Sequence, residues 1–136
     1  MKTLPDWAKL PVGDTLPPLE LPPLTRHTLA LYCGASADHN PIHVDTDFAH
    51  AAGLPDVIAH GMLSAAWLAR QLTNWAPQTA LRALDLRFAA PTQVGECIRC
   101  TGHVTERLDH ALRVELQTRN EQGQVKLSAL ALLAWD

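Results

Sequence analysis

The segment Asp38-His39-Asn40-Pro41-Ile42-His43 sets a carboxylate and an imidazole five residues apart on a stretch that cannot be helical. Pro41 has no N–H for a helical hydrogen bond, and Asn40 before it is pushed towards extended backbone. A rigid turn of this kind can aim two side chains at one point. A carboxylate beside an imidazole can fix its tautomer or share a water with it, or each can move a proton. Further along, Ile58-Ala59-His60-Gly61-Met62 leads into an apolar run. If that run is a helix, Gly61 stands at its N-terminus, where the first N–H groups lack intrahelical partners and the dipole is positive. Such donors suit a carbonyl oxygen that gains negative charge. An acid, a base and an oxyanion site are the parts needed to move a proton beside a carbonyl.

Each residue also fits a plainer role. Asp38 could cap the loop and His43 could be a surface histidine, and the residues alone favour neither reading. Asn40 before proline is a turn former whose side chain bonds nearby backbone, so its expected role is support of the loop. Gly61 could simply allow close packing where the helix enters the core. His60 is expected to contribute backbone or a buried hydrogen bond.

A metal site is not expected. His39 and His43 are four apart, as in helical zinc motifs, but Pro41 between them removes the helix those motifs need. Asp45-x-Asp47 lacks the glycine and terminal glutamate of a calcium loop. Cys97-Ile98-Arg99-Cys100 is a lone C-x-x-C in a segment that reads as a strand. Positions three apart on a strand face opposite ways, so a structural role is expected there. The third cysteine, Cys33, completes no disulfide framework.

The elements that must carry these residues follow from periodicity. Pro17-Pro18 and Pro22-Pro23 bracket Leu19-Glu20-Leu21, which can be extended or an edge strand but not a central one. Thr25 is a candidate N-cap for a short helix ending near Gly34. Residues 37–44 read as a loop. Asp45 or Thr46 could cap a second short helix that Gly53 ends. Gly61 to Trp75 is the one long helix, apolar nearly all round in its first half and therefore expected inside, with only its polar far end near water.

After Pro77 the period changes to two. Leu84, Leu86 and Phe88 form one alternating set, followed by Ile98, Cys100, Gly102 and Val104. Leu112, Val114 and Leu116 form a third, and Val125, Leu127, Ala129, Ala131 and Leu133 a fourth. Four such segments predict a four-stranded antiparallel meander. The fold class expected is α+β, one domain over residues 1–136, with a curved antiparallel sheet wrapped around the central apolar helix.

Composition narrows the function classes. The chain of 136 residues is 47% hydrophobic and 18% charged, which is globular and not disordered. With 11 scattered Lys and Arg and a net charge of −3, it carries no nucleic-acid footprint. Its longest apolar runs, Ala65 to Ala69 and Ala129 to Trp135, are too short to span a membrane. No secretory signal is readable, so a cytoplasmic location is expected. The low charge fraction and a sheet that must have an edge predict a dimer or an assembly of dimers.

The motif Asp38-His39-Asn40-Pro41-Ile42-His43 resembles the D-x-N-P-x-H signature of the MaoC-like, R-specific enoyl-thioester hydratases. Val44-Asp45, Phe48-Ala49, Ala52-Gly53-Leu54-Pro55 and Ile58-Ala59-His60-Gly61-Met62-Leu63 resemble its continuation. Arg87-Phe88-Ala89-Ala90-Pro91 and Val94-Gly95-Glu96 are similar to its later strand and turn. The resemblance implies a hot-dog fold and a dimer in which two sheets join side by side. It implies reversible syn hydration of a trans-2-enoyl thioester, carried by CoA or acyl-carrier protein, with no cofactor. Asp38 and His43 match the family's catalytic dyad and Gly61 its oxyanion N–H. Where some members carry a polar residue later in the central helix, this chain is apolar and Ser64 is the nearby hydroxyl. The rival readings are a hot-dog thioesterase and a non-catalytic acyl-binding subunit. Some relatives act as heteromers with a silent partner, and this chain, keeping the dyad, would be the active member.

Overall fold

The computed structural model describes residues 3–136, so Met1 and Lys2 lie outside the described residues. The proline-rich arm opens with a 3-10 turn at Asp6–Lys9 and then runs along the sheet edge, where Leu16 N–H donates to Gly102 O at 2.9 Å. Its strand β1 (Leu19–Glu20) pairs with β3 (Arg99–Arg107), the edge position that its prolines allow.

Helix α1 (Arg26–Ser36) starts where Thr25 accepts a hydrogen bond from Thr28 N–H at 3.1 Å. It does not stop near Gly34. It continues to Ser36 and closes at left-handed Ala37, φ 60°, whose N–H reaches Cys33 O. A glycine inside a helix costs only about 1 kcal/mol, less than the burial of Leu29 and Cys33 on this helix returns. The expected loop at 37–44 holds a 3-10 turn at Pro41–His43. Asp45 caps α2 (Thr46–Ala51) through Asp47 N–H and Phe48 N–H, and Gly53 follows it at φ 84°.

Helix α3 (Gly61–Trp75) is the long central element. Its Leu63, Trp67, Leu68 and Leu72 pack with Val104, Leu112, Leu116, Leu127 and Leu133 from the sheet. It is not enclosed all round. Met62 is 58% exposed and Ala66 is exposed one turn later, so one stripe of the apolar half faces outward. Gln71, expected near water, is buried, with Nε2 donating to Pro17 O at 3.2 Å.

The sheet has five strands in the order β1-β3-β4-β5-β2 and all its pairings are antiparallel. Strands β3, β4 (Ala111–Arg119) and β5 (Val125–Ala134) form a meander. Strand β2 (Leu81–Phe88) departs from the expected order, because it pairs with β5 at the far edge rather than with β3. The connection after β2 is too long for a hairpin turn, which frees β2 from its sequence neighbour. The arm takes the place beside β3. The result is an antiparallel sheet wrapped around one helix, the α+β architecture expected. Among the described residues no helix is long and apolar enough to cross a membrane.

Candidate active site

The turn carrying Asp38, Asn40 and His43 is built by its own side chains. Asn40 Oδ1 accepts from Ile42 N–H at 3.1 Å, and Asp38 Oδ1 accepts from Asn40 N–H at 3.3 Å. Asn40 therefore supports the loop, and one oxygen of Asp38 does so as well. His43 is not a surface residue: it is 9% exposed. Its Nδ1 lies 2.8 Å from Ile58 O. A carbonyl can only accept, so Nδ1 carries the hydrogen and, in the neutral ring, Nε2 carries the lone pair. Ile58 N–H donates back to Ile42 O at 3.3 Å, which ties the turn to the segment entering α3.

His60 has a larger part than the sequence suggested. It is 1% exposed and stacks on His43, with ring centroids 3.8 Å apart and planes at 21°. Tyr32 meets it edge-on at 4.7 Å. Its Nε2 lies 3.2 Å from Asp38 O and 3.3 Å from Cys33 Sγ. Among the described residues its Nδ1 has no partner. Burial holds the His60 pKa below the usual imidazole value, and neighbouring His43 adds to this. The bond to Asp38 O and the Asp38 charge work in the opposite direction without overcoming it. The ring is thus kept neutral. Burial, helped by the Asp38 charge, raises the Cys33 thiol, which makes it an inert neighbour.

Ligand-type atoms of Asp38, His43 and His60 lie within 4.8 Å of one another. Two stacked imidazoles keep their ring-nitrogen lone pairs in nearly parallel planes, an arrangement that disfavours both meeting one ion. His60 Nε2 is further committed as the donor to Asp38 O. The cluster suits proton chemistry better than coordination. Asp38 and His43 share no direct side-chain hydrogen bond, although their ligand-type atoms lie within 4.8 Å of each other.

The pocket beside this pair has a volume of about 360 Å³ and is lined by His43, Ile58, Gly61, Ser64 and Phe88, together with the Ala89–Thr92 segment, Lys126 and Leu127. Gly61 opens α3, and the His60 side chain does not cap the helix. Leu63 N–H and Ser64 N–H return to His60 O, so the N–H groups of Gly61 and Met62 are the ones without an intrahelical partner. A Cβ at Gly61 would come within 2.9 Å of Phe88 Cε1, so close packing is a property of this residue. Ser64 is buried and lines the same pocket.

Lys126 is the pocket residue that periodicity hid. Alternation along β5 places it outward, yet it is 4% exposed. Thr118 pairs with Leu127 and Arg119 with Val125, so Lys126 is the extra residue of a bulge. A bulge turns a side chain to the other face. Lys126 Nζ meets Glu96 Oε1 at 3.0 Å and Pro91 O at 2.9 Å. Burial alone would raise the Glu96 pKa, but bonds from Asn120, Gln93 N–H and Lys126, with the Lys126 charge, hold it below the usual carboxylate range.

The remaining candidates lie elsewhere. His39 is exposed, and His50 bonds Pro55 O at 2.9 Å on the surface. Asp45 caps α2, and Asp56 pairs with Arg26. Cys97 is exposed and Cys100 buried, and burial pushes the Cys100 thiol up to about 12.

A family model described as "MaoC like domain" matches residues 12–125. The chain is 29% identical over 126 residues to fatty acid synthase subunit beta of Saccharomyces cerevisiae, covering 90% of this chain. It is 33% identical over 84 residues to the (R)-specific enoyl-CoA hydratase of Rhodospirillum rubrum, covering 60% of this chain. It spans 6% of the length of the first relative and 58% of the second. The solved structure of the unliganded R-hydratase PhaJ1 from Pseudomonas aeruginosa superposes with a TM-score of 0.84 at 26% identity, covering 94% of this chain and 84% of the other.

Proposed function

The chain belongs to the MaoC-like family, and from that premise we propose that it is a hydro-lyase acting on acyl thioesters. It adds water across the double bond of a trans-2-enoyl thioester to give the (R)-3-hydroxyacyl thioester, and runs the reverse dehydration. The observation that carries this reading is the meeting of three parts in one place. An Asp38 carboxylate oxygen and a ring nitrogen of His43 lie within 4.8 Å of each other, and His43 lines a pocket whose wall includes Gly61 at the uncapped N-terminus of α3.

In this reading His43 Nε2 is the base, because Nδ1–H is engaged by Ile58 O. It removes a proton from a water that the free Asp38 oxygen orients, while the water oxygen bonds to Cβ. The electron pair of the double bond moves towards the thioester carbonyl. Gly61 N–H stabilises the oxygen that gains charge. The proton that His43 Nε2 took from the water passes to Cα on the same face, which completes syn addition and restores the neutral ring. Stacked neutral His60 adds no charge beside His43 and leaves it able to accept a proton. Nothing in these steps calls for a cofactor.

The thioester carrier, CoA or acyl-carrier protein, belongs to the same proposal. So does association into dimers. Strand β2 is an edge, with Phe88 at its end 56% exposed, and the Met62–Ala66 stripe of α3 is open too. A second copy covering them would close an apolar surface and a strand edge together. Sedimentation giving a species of twice the monomer mass supports this, and a monomer alone at micromolar concentration rejects it.

The activity is tested by following the enoyl-thioester absorbance with crotonyl-, octenoyl- and bulky cyclic enoyl-CoA, with a thiol reagent in parallel. Hydration removes the absorbance and releases no thiol. Thiol release would make the chain a thioesterase. No change in either signal would make it an acyl-binding subunit.

A further inference from the structure

The buried pair Lys126–Glu96 takes no part in the proton transfers above, yet Lys126 shares the pocket wall with His43 and Gly61. We propose that Lys126 is a positioning residue, which holds the Pro91–Gln93 segment so that this segment in turn fixes the hydrogen-bond acceptor of His43 and the entry to α3.

The connections are continuous. Lys126 Nζ donates to Pro91 O at 2.9 Å and pairs with Glu96 Oε1 at 3.0 Å. Glu96 Oε1 accepts from Gln93 N–H at 2.6 Å, and Glu96 Oε2 from Asn120 Nδ2 at 2.7 Å. The segment from Pro91 to Gln93 is thereby gripped at both ends. Its other side pairs with the segment leading to the helix: Ala59 N–H donates to Thr92 O at 2.9 Å, and Ile58 forms an isolated bridge with Gln93. Ile58 O is the atom that holds His43 Nδ1–H, and Gly61 follows three residues later.

The backbone of Lys126 is committed as well as its side chain. Its carbonyl accepts from Ala89 N–H at 2.9 Å and Ala90 N–H at 3.2 Å, which anchors the start of the same segment. The bulge is what allows both, since regular alternation would send the side chain to the outer face. Stability does not explain the arrangement. A buried ion pair is often no better than an apolar pair of the same size, because desolvation offsets the attraction. What the pair adds is direction: an ammonium aimed at one carbonyl and a carboxylate aimed at one N–H.

The kinetic part of this inference rests on the hydratase reading, and the structural part does not. The experiment uses the full chain with Lys126→Met, Lys126→Arg and the double change Lys126→Met/Glu96→Gln. Three readouts are taken: imidazole nitrogen signals of His43 by NMR, thermal unfolding, and kcat with KM on crotonyl-CoA. Wild type should show the single Nδ1–H tautomer of His43. Lys126→Met should show a mixture, with kcat lower by about 10- to 100-fold, the scale of a small misplacement of a catalytic group, and KM changed by less than about threefold. Lys126→Arg keeps a cation and donors and should recover part of the loss. The double variant guards against misfolding, since it leaves no unpaired carboxylate buried, and it should stay impaired.

A folded double variant with wild-type kcat and an unchanged His43 tautomer would overturn the proposal, as Lys126 would then serve only to neutralise Glu96. A rise in KM alone, with the tautomer intact, would also overturn it and make Lys126 a substrate contact. If wild type fails to hydrate any enoyl-CoA, the functional reading falls, and the His43 signals still decide whether Lys126 sets that ring.

Discussion

The two ends of helix α3 are built on opposite plans. At its C-terminal end the inward face is closed by packing, while Thr73 and Asn74 face outward. Leu72 is buried, and Ala76 N–H returns to Leu72 O at 2.8 Å. Trp75 meets Trp7 edge-on at 5.8 Å, and Trp7 meets Trp135 at the same distance. Arg107 lies 6.0 Å from the Trp135 ring and donates to Ala8 O and Leu10 O, fastening the arm over that end. At the N-terminal end polar capacity is left unspent. The helix lacks a side-chain cap, its first residue lacks a side chain, and His60 Nδ1 lacks a partner among the described residues. One element is therefore anchored at one end and held open at the other. The cap is left out at the end that borders the pocket and the other end is covered by the arm, although Gln71 Oε1 towards that covered end also lacks a partner among the described residues.

That division predicts that changes near the open end alter rate and changes at the closed end alter stability. The largest effect belongs to the pair itself. Asp38→Asn keeps shape but loses the charged oxygen that orients the water, and His43→Ala loses the base. Each should lower turnover by roughly 10²–10⁴-fold. The double variant should be little worse, because groups that act as a unit are not additive. The Asp38→Asn unfolding midpoint should hardly move, since Asp38 is exposed and the turn keeps its Asn40 bond, whereas His43→Ala removes a buried ring bonded to Ile58 O and should also cost about 1–3 kcal/mol of stability. His50→Ala is the control and should retain most activity. Wild-type hydration by a folded Asp38→Asn protein would end the proposed mechanism.

At the closed end, Leu72→Ala should destabilise the fold by about 2–5 kcal/mol, read by chemical denaturation. Turnover per folded molecule should stay near wild type. A large loss of rate in the folded fraction would show that the two ends are coupled and would break the comparison. Gly61→Ala lies between the two cases. Its new Cβ would stand 2.9 Å from Phe88 Cε1, and the half-exposed ring must give way. The expected outcome is a roughly tenfold loss of turnover, below the scale of a full 1 Å misplacement, with a stability change of about 1 kcal/mol or less. Unaltered kinetics would show that Phe88 yields without displacing the helix entry, because alanine keeps its own N–H.

The same division explains which parts of the molecule could be foreseen. The closed end and the sheet follow from periodicity, because residues that alternate or recur every turn are packed by their apolar faces. Leu112, Val114 and Leu116 are all fully buried for that reason. Asp38, Asn40 and His43 were legible because Pro41 leaves the turn little freedom. What could not be foreseen depended on partners far away in sequence. The pairing of β2 with β5 is a choice between edges that alternation does not encode. Lys126 points inward because of one extra residue in a strand, a displacement with no compositional mark. The stacking of His60 on His43 needed the contact between turn and helix entry, which no local pattern gives.

The smallest predicted effect sharpens the comparison through pH. His60 is packed against His43, Asp38, Cys33 and Tyr32, and burial holds its pKa below the unfolded value of 6.5. The unfolded chain therefore binds this proton more readily than the folded one. Stability must rise with pH wherever the unfolded state holds more protons. The contribution of neutral His60 is thus fully present above about pH 6.5 and is lost as pH falls through the lower folded value. Glu96, also depressed, adds its loss in a separate window below its unfolded value of 4.5. Thermal unfolding between pH 7.5 and 5.5 should show a falling midpoint in wild type and a flatter line in His60→Gln, which has no proton to gain. Leu72→Ala should lower the midpoint at every pH and leave the slope as it is. If His60→Gln kept the wild-type slope, the acid sensitivity would lie outside this site, and the open end of α3 would not be the end that pH can reach.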